Sequence, residues 1–292
     1  MNFLQKTVRE TVRPFRQFGG ALRALYLFIF SRPRFQKLND RLLNTALNAR
    51  GYNNNPDIAK SGEAYFLQQL AKEHPVFCID VGANKGEYSR HLLGNTQASV
   101  LCFEPQSAIF QKLTALAEAY PGRFYPVNMG VGDKTGWLDL HYGEQCSEVA
   151  SFAPEINRIK SVGAVNQKTI SVPVTTLDEF FATQKIFQEP SRVDLLKIDT
   201  EGFEQNVLRG ALVTIDRLKP KYIQVEISVQ HLYTKTLLLE IAGQLGAYQA
   251  HQITLHGLAP VDPADPLSNI SCFSNFVFVR NVQAEPRLAC SS

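Results

Sequence analysis

The stretch from Val76 to Arg90 constrains the fold of this chain more than any other part of it. The apolar run from Val76 to Val81 predicts a fully buried strand. Residues Gly82 to Gly86 predict a tight turn, and the pattern from Glu87 to Leu93 predicts a short helix. A strand, a glycine turn and a helix in this order leave free backbone N–H groups where a nucleotide-like ligand can approach.

A second buried strand, from Ser99 to Phe103, ends in Glu104. A carboxylate about 20 residues after the glycine turn is where such folds hold a ribose hydroxyl pair. The spacing Asp80-x-Gly82-x-x-x-Gly86 differs from the dinucleotide fingerprint, which needs G-x-G-x-x-G. Because Asp80 is anionic, it disfavours a pyrophosphate and favours a cation. S-adenosylmethionine (SAM) carries a sulfonium and an ammonium, so this pattern favours SAM over NAD.

Strands alternate with helices after this stretch, which predicts a parallel sheet covered on both faces. Further strands are expected at 123–127, 137–142, 193–198, 222–227, 251–255 and 276–280, and helices at 35–50, 61–71, 106–120, 176–184 and 231–245. We expect 137–142 to be the hairpin partner of 123–127, and the last two strands to form an antiparallel pair. The irregular segment 143–170 is the expected acceptor lid.

Polar residues follow five of these strands where each strand ends. They are Asp80, Asn84, Glu104, Asn128, Asp199, Glu201 and Glu226. Ligands of open α/β sheets bind outside the carboxyl ends of the strands. Carboxylates gathered there repel each other unless a sulfonium, an ammonium or a metal ion offsets their charge. The alternatives are a helix cap for Asp80, a solvated loop acid for Glu104 and a turn-stabilising amide for Asn128.

The second informative stretch runs from Lys197 to Glu204. Lys197 and Asp199 alternate along a strand and therefore face the same side of the sheet. A buried lysine needs a carboxylate partner, which Asp199 or Glu201 can supply. An acid here can orient or deprotonate an acceptor hydroxyl, or else form an internal ion pair that steadies the cleft. Glu204 and Arg209 on the following helix are expected to be a surface charge pair.

Five stretches together resemble the FkbM family of SAM-dependent methyltransferases. They are Ser61-Gly-Glu63, Ile79-Asp-Val-Gly-Ala-Asn-Lys-Gly-Glu-Tyr88, Phe103-Glu-Pro105, Val174-Thr-Thr-Leu-Asp178 and Leu195-Leu-Lys-Ile-Asp-Thr-Glu-Gly-Phe-Glu204. The resemblance implies a Rossmann-like class I methyltransferase fold, α/β, with a mostly parallel seven-stranded sheet, helices on both faces and an antiparallel final strand. It also implies O-methylation of a hydroxyl on a sugar, a glycan or a secondary metabolite.

The resemblance also implies roles for individual residues. The implied cofactor-binding set is Asp80, Gly82, Ala83, Asn84, Gly86, Tyr88, Glu104 and Asn128. Within that set Asp80, Gly82, Asn84 and Gly86 surround the methionine part of SAM, Glu104 takes the ribose hydroxyls and Asn128 lies near the adenine. Asp199 and Glu201 border the methyl-transfer site.

The acceptor hydroxyl must lose a proton, and the sequence leaves four candidate bases open. They are Asp199, Glu201, Glu226 and His231, of which the histidine is as readily structural. Asp199 with Glu226 can also supply oxygen ligands for Mg²⁺, although we expect no metal site. The rival functions are an NAD(P)-dependent Rossmann oxidoreductase and a non-catalytic methyltransferase-like binding module.

Basic residues concentrate at the N-terminus, where residues 1–50 hold ten Lys and Arg against two acids. We expect a basic helical extension over 1–54, a SAM-binding domain over 55–283 and a flexible tail over 284–292. The apolar run 21–30 is too short to span a bilayer. It predicts either an amphipathic helix on an anionic membrane or a helix packed on the domain or on a partner subunit.

Five cysteines without a C-x-x-C pair indicate a reducing compartment, hence a cytoplasmic protein, possible peripheral membrane contact aside. Two of them, Cys78 and Cys102, fall inside predicted buried strands, where cysteine acts as a small hydrophobic residue. The sequence shows no basic surface interleaved with aromatic residues, so it does not indicate nucleic-acid binding. The expected partner is a small-molecule or glycan hydroxyl acceptor.

Overall fold

The computed structural model of the chain describes residues 20–53, 55, 57–143, 149–186, 190–270 and 272–281. The chain divides into two compact units, residues 1–49 and 50–292. In the first, residues 20–30 are helical (α1), a short 3-10 turn covers Pro33–Phe35, and helix α2 is Gln36–Arg50. The tail expected at 284–292 and two of the five cysteines, Cys146 and Cys290, lie outside the described residues.

The second unit is built on an eight-stranded sheet in the order β10-β9-β11-β8-β7-β1-β2-β3. Its strands are β1 Phe77–Val81, β2 Ser99–Phe103, β3 Phe124–Val127, β7 Leu195–Ile198, β8 Tyr222–Ile227, β9 Tyr248–Thr254, β10 Gly257–Pro260 and β11 Ser274–Arg280. Strands β3, β2, β1, β7 and β8 are parallel, and β11 lies antiparallel between β8 and β9. This is the Rossmann-like class I arrangement that the resemblance implies, and the antiparallel final strand is confirmed.

Helices precede, separate and follow these strands. They are α3 Glu63–Ala71, α4 Glu87–Asn95, α5 Ser107–Ala119, α6 Lys160–Val165, α7 Leu177–Thr183, α8 Glu204–Arg209, α9 Leu212–Leu218, α10 Gln230–Thr234 and α11 Leu238–Gln244. The predicted cap of α7 is present, because the Thr176 hydroxyl accepts a hydrogen bond from the N–H of Glu179 at 2.9 Å. Helices thus alternate with the parallel strands, as predicted, although α8 is followed directly by α9 and α10 by α11.

The core follows the alternation of side chains along the strands. Cys78 and Cys102 face α3, α4 and α5, where they are buried among leucines and aromatic rings such as Phe66. On β2 the neighbouring residue points to the other face, and the ring of Phe103 packs 4.9 Å from that of Phe180 on α7. Both faces of the sheet are thus covered, which explains why most residues of its central strands are apolar.

A second, three-stranded sheet in the order β4-β6-β5 was not foreseen. Its strands are β4 Gly130–Val131, β5 Gly136–Tyr142 and β6 Lys168–Thr175. The expectation that 137–142 pairs with 123–127 is wrong, because β5 pairs antiparallel with β6 instead. Ile170, Val172 and Val174 alternate along β6, but Pro173 stands between the two valines, where a strand disfavours proline, and the first four residues of the strand are exposed.

Two other expectations need correction. The helix expected at 231–245 is broken into α10 and α11 at Lys235, whose φ of 59° ends the first helix. The expected seven strands become eight because β10 forms a hairpin with β9 at the sheet edge. Neither change moves the carboxyl ends of β1, β2, β7 and β8, where the predicted site residues lie.

Candidate active site

The glycine turn after β1 is fixed between two other strands. Gly82 and Gly86 have φ angles of 81° and 78°, which residues with a side chain rarely adopt. A Cβ on Gly82 would lie 1.8 Å from the backbone oxygen of Asp199, so the turn packs directly against the loop after β7. The N–H groups of Gly82 and Ala83 donate to the carbonyl of Phe103, at the end of β2, at 3.1 and 3.0 Å. The turn therefore has one position at the rim of the sheet.

Glu104 stands at the end of β2 with 4% of its surface exposed. Its Oε2 accepts the N–H of Asn84 at 3.0 Å, and its Oε1 accepts the N–H of Gln106 at 2.8 Å. Burial raises the pKa of this carboxyl to about 7, although the two backbone donors act in the opposite direction. The carboxyl group is thus held in one orientation beside the glycine turn.

Asn128 supports the chain that follows Glu104. Its Nδ2 donates to the carbonyl oxygens of Glu104 and Pro105, at 2.8 and 3.2 Å. Its Oδ1 accepts from the hydroxyl of Ser107 at 2.9 Å. The side chain of Asn128 therefore meets protein groups at both of its polar atoms, as the alternative of a turn-stabilising amide describes.

Asp80 is completely buried within β1. Its Oδ2 accepts from the hydroxyl of Ser89 at 2.7 Å, and its Oδ1 lies 3.7 Å from the Nζ of Lys197. Burial raises the pKa of Asp80, while the nearby ammonium and hydroxyl lower it. The side chain that was expected to face the cofactor thus lies within the sheet.

Lys197 on β7 connects strand β1 with the loop that follows β7. Its Nζ lies 2.9 Å from the Oδ2 of Asp199 and 4.9 Å from the centre of the Tyr88 ring. Burial lowers the pKa of Lys197, but the surrounding carboxylates outweigh burial and raise it. Lys197 is therefore a buried cation, and Asp199 is its closer partner, as the alternation along the strand predicts.

The carboxylate of Glu204, a residue that is 1% exposed, binds the backbone of the loop from Asp199 to Gly202. Its Oε1 accepts from the N–H groups of Thr200 and Gly202 at 2.8 and 3.2 Å. Its Oε2 lies 2.9 Å from the Nε2 of His231. The expected surface pair of Glu204 with Arg209 is wrong, because Glu204 is buried and bonded to its own preceding loop.

His231 is 3% exposed and belongs to this buried arrangement. Its Nδ1 accepts the N–H of Ser228 at 3.1 Å, so the ring proton is on Nε2, beside Glu204. Both nitrogens thus meet protein groups. This geometry corresponds to the structural alternative for the histidine.

Three carboxylates converge above the sheet. Asp199, Glu201 and Glu226 are partly buried, and one oxygen atom of each lies within 4.8 Å of the others. Glu201 receives a hydrogen bond from the amide of Gln230, whereas the Glu226 carboxylate accepts no hydrogen bond and forms no ion pair among the described residues. Burial, and then the charge of Asp199, raise the pKa values of Glu201 and Glu226 well above the usual range. The group therefore favours a cation or a proton.

A cavity of about 630 Å³ opens over these residues. Eight of the twelve predicted site residues line it: Gly82, Ala83, Asn84, Tyr88, Glu104, Asp199, Glu201 and Glu226. The other four, Asp80, Gly86, Asn128 and His231, lie outside its lining, and each contacts a lining residue, which is Lys197, Ala83, Glu104 and Ser228 respectively. One wall is formed by residues 149–152, within the segment expected to be an acceptor lid. Among the described residues, six acids and two lysines line the cavity, so its formal charge is negative when these groups are ionised.

A family model described as the methyltransferase FkbM domain matches residues 80–253. The chain belongs to this family.

Proteins named as methyltransferases are similar to this FkbM chain. The hexuronic acid methyltransferase AglP of Haloferax volcanii is 26% identical over 174 residues, which cover 60% of this chain and 65% of AglP. The 2-O-methyltransferase NoeI of Sinorhizobium fredii is 26% identical over 181 residues, which cover 58% of this chain and 70% of NoeI. This chain is also 20% identical to an FkbM methyltransferase from Methylobacillus flagellatus that has a crystal structure. The structural alignment has a TM-score of 0.44 and covers 70% of this chain and 44% of the chain from Methylobacillus flagellatus.

The FkbM chain also has a buried polar network that sequence reasoning missed. The hydroxyl of Tyr88 donates to Oε1 of Gln224 at 2.6 Å, and Nε2 of Gln224 donates to Oε1 of Glu63 at 2.7 Å. Glu63 lines the cavity, and Ser61 donates to its other oxygen at 3.1 Å. The signals available were the match of Ser61-Gly-Glu63 to the family and the glutamine inside the apolar strand β8. Their meeting was hidden because about half the chain separates them.

Proposed function

We propose that this protein transfers a methyl group from SAM to a hydroxyl group. The observation that carries the proposal is the negative cavity at the carboxyl ends of β1, β2, β7 and β8, with Glu104 at one side and the Asp199, Glu201 and Glu226 carboxylates at the other. A cationic ligand lowers the repulsion between these acids, whereas an anionic dinucleotide raises it. This charge supports SAM over NAD.

The residues present suit this cofactor in kind and in size. The cavity volume falls within the range of about 300–1,000 Å³ that small-molecule sites occupy. Glu104, oriented by two backbone N–H groups, is a carboxylate suited to hold ribose hydroxyls. Gly82, Ala83 and Asn84 supply the cavity wall next to it. When bound, SAM supplies an activated methyl group on a sulfonium.

The task of the protein is to place an acceptor oxygen and to take its proton. We assign the role of general base, which accepts the proton of the acceptor hydroxyl, to Glu226. No described residue donates a hydrogen bond to its carboxylate, and its pKa is raised by burial and by neighbouring acids. Asp199 is already paired with the Lys197 ammonium, whose Nζ lies 2.9 Å from its Oδ2. Glu201 is held by Gln230 and shapes the same wall.

The acceptor class rests on the relatives. AglP is a hexuronic acid methyltransferase and NoeI is a 2-O-methyltransferase, so we propose a sugar, glycan or secondary-metabolite hydroxyl as acceptor. The matched region covers 65% of AglP and 60% of a second relative, the methyltransferase sdnD, so the proposal names a class of acceptor and not the individual acceptor of either relative.

The free cysteines Cys78, Cys102 and Cys272 support a reducing, cytoplasmic location.

Calorimetric titration tests the cofactor. We expect binding of SAM and of its demethylated product, and none of NAD(H). Glu104→Ala should weaken SAM binding by about 10- to 100-fold, because it removes charge-assisted hydrogen bonds. The exposed Glu118 on α5 gives a matched control, Glu118→Ala, whose affinity should equal that of the wild type. Binding of NAD(H) without SAM would refute the proposal.

Isotope transfer tests the reaction. Extract of the source cell, incubated with the enzyme and SAM labelled in the methyl group, should yield labelled products that mass spectrometry identifies as ethers. Label on nitrogen or carbon would replace the hydroxyl as acceptor. Tight SAM binding with no transfer to any extract component would favour the binding-module alternative.

A further inference from the structure

Residues 20–50 form a helical hairpin with its own internal contacts. The ring of Phe30 on α1 packs 4.9 Å from Tyr26 and 5.0 Å from Phe35. The Tyr26 hydroxyl donates to Oδ1 of Asn39 on α2, and Nδ2 of Asn39 donates to the carbonyl of Phe30 at 3.0 Å. These contacts join α1 to α2, so the hairpin presents a defined surface.

Eight large hydrophobic residues of the hairpin are exposed. They are Leu22, Leu25, Tyr26, Leu27, Phe28, Leu38, Leu42 and Leu43. Phe28 is 75% exposed, and no residue between 20 and 50 is fully buried. Contiguous exposed apolar side chains on a helix indicate a surface that meets a membrane or another macromolecule.

The charge of the hairpin selects between those partners. Between residues 20 and 50 there are six cations, Arg23, Arg32, Arg34, Lys37, Arg41 and Arg50, and one acid, Asp40. A second copy of the chain seated on this face would bring the two sets of cations together, which is unfavourable. An anionic lipid surface instead attracts the cations and accepts the leucines and Phe28 at the boundary with its acyl chains.

We propose that the hairpin 20–50 is an interfacial anchor that binds the surface of membranes rich in anionic lipid. None of the described helices combines the length and the hydrophobicity that crossing a bilayer requires, so the contact is peripheral. The anchor uses two components, the exposed apolar face and the cations, and each is separately testable. This inference does not depend on the proposed methyl transfer.

Vesicle co-sedimentation of the full-length protein tests the anchor. Vesicles of phosphatidylglycerol mixed with phosphatidylcholine should bind it, vesicles of phosphatidylcholine alone should bind it much more weakly, and added salt should release it. The variant Lys37→Gln/Arg41→Gln should lower the partition coefficient about 30-fold. Each cation near such a surface contributes about 1 kcal/mol, and about 1.4 kcal/mol corresponds to a tenfold change. Leu25→Gln/Phe28→Gln should weaken binding to a similar degree or more.

Matched changes on the second unit provide the controls. Lys134→Gln/Lys185→Gln removes two exposed cations, and Ile186→Gln/Val213→Gln removes two exposed apolar side chains. Both should bind as the wild type does. The proposal is overturned if anionic vesicles do not retain the protein. It is also overturned if either control variant weakens binding as much as the hairpin variant that it matches. Concentration-dependent dimers that only Leu25→Gln/Phe28→Gln abolishes, without vesicle binding, would assign the face to a second copy.

Discussion

Lys197 and Asp80 are register partners on adjacent parallel strands, and the ammonium of one lies 3.7 Å from Oδ1 of the other. The same ammonium lies 2.9 Å from Oδ2 of Asp199. One buried cation therefore stabilises an acid inside the sheet and orients an acid at the cavity. The sequence pattern K-I-D thus serves the core and the site together.

Removing that cation should destabilise the fold. Lys197→Met leaves the completely buried Asp80 without its charge partner, and we expect a loss of about 3–5 kcal/mol in the free energy of unfolding. Urea denaturation measures it. Asp80→Asn/Lys197→Met should recover part of the loss because the completely buried charge of Asp80 is removed as well, and Lys134→Met on the exposed surface should change little. Equal stability of Lys197→Met and wild type would show that the pair contributes nothing.

Glu226 should be required for turnover and not for cofactor affinity. If Glu226 takes the acceptor proton, Glu226→Gln should lower kcat by about 10²- to 10⁴-fold while the calorimetric Kd for SAM stays within a few-fold of the wild type. Glu118→Gln on the exposed face of α5 is the matched control. Undiminished methyl transfer by Glu226→Gln would move the role to Asp199 or Glu201, the other two acids of the cluster.

Glu104 gives a pH dependence with a definite sign. Burial raises its pKa in the fold from 4.5 to about 7, so folding favours the protonated form. Its contribution to stability is therefore complete below about pH 4.5 and is lost as pH rises through about 7, at most about 3 kcal/mol in the protein without cofactor. Glu104→Gln should remove this part of the pH dependence. Urea midpoints from about pH 5 to about pH 8 measure the effect.

The affinity for SAM should change in the opposite direction with pH. The ionised carboxylate is the stronger acceptor for ribose hydroxyls, so affinity should rise as pH passes about 7. Glu104→Gln should bind more weakly and without that rise. An identical pH profile for variant and wild type would remove Glu104 from ribose binding.

Metal removal should leave the reaction unchanged. The Asp199, Glu201 and Glu226 oxygens are close enough to share an ion, but Lys197 already places an ammonium 2.9 Å from Asp199, and Gln230 donates to Glu201. That compensation lowers the attraction for a divalent cation. We expect the same methyl-transfer rate before and after dialysis against EDTA. Loss of activity that added Mg²⁺ restores would establish a metal site here.

The sequence predicted best those parts whose cause is local. Strands β1 and β2, the turn between Gly82 and Gly86, and the position of Glu104 follow from continuous apolar runs and glycines, and each was confirmed in the structure. The cap of α7 follows from four consecutive residues. Such features depend on neighbours along the chain, which a sequence displays directly.

Features produced by distant contacts were missed. The pairing of β5 with β6 joins two strands that a long connecting segment separates, and half of β6 is exposed. The network from Tyr88 through Gln224 to Glu63 joins three separate elements. Burial of Glu204 was invisible for the same reason. A glutamate on a helix is usually solvated, and only the fold shows that its helix begins under the loop it binds.

The Glu204–His231 pair supports a last prediction, that His231 acts on structure and not on proton transfer. Burial raises the pKa of Glu204, but His231 and the backbone donors outweigh burial and lower it. A lowered carboxyl pKa gives stability that is present above the unfolded pKa and is lost as pH falls through the folded value. His231→Leu should therefore destabilise the fold, with a coupling to Glu204→Gln of about 0.5–3 kcal/mol in a double-mutant cycle. If His231 were the base instead, His231→Leu would remove the limb of the kcat–pH profile that reports it, whereas we expect that limb to be lost only in Glu226→Gln.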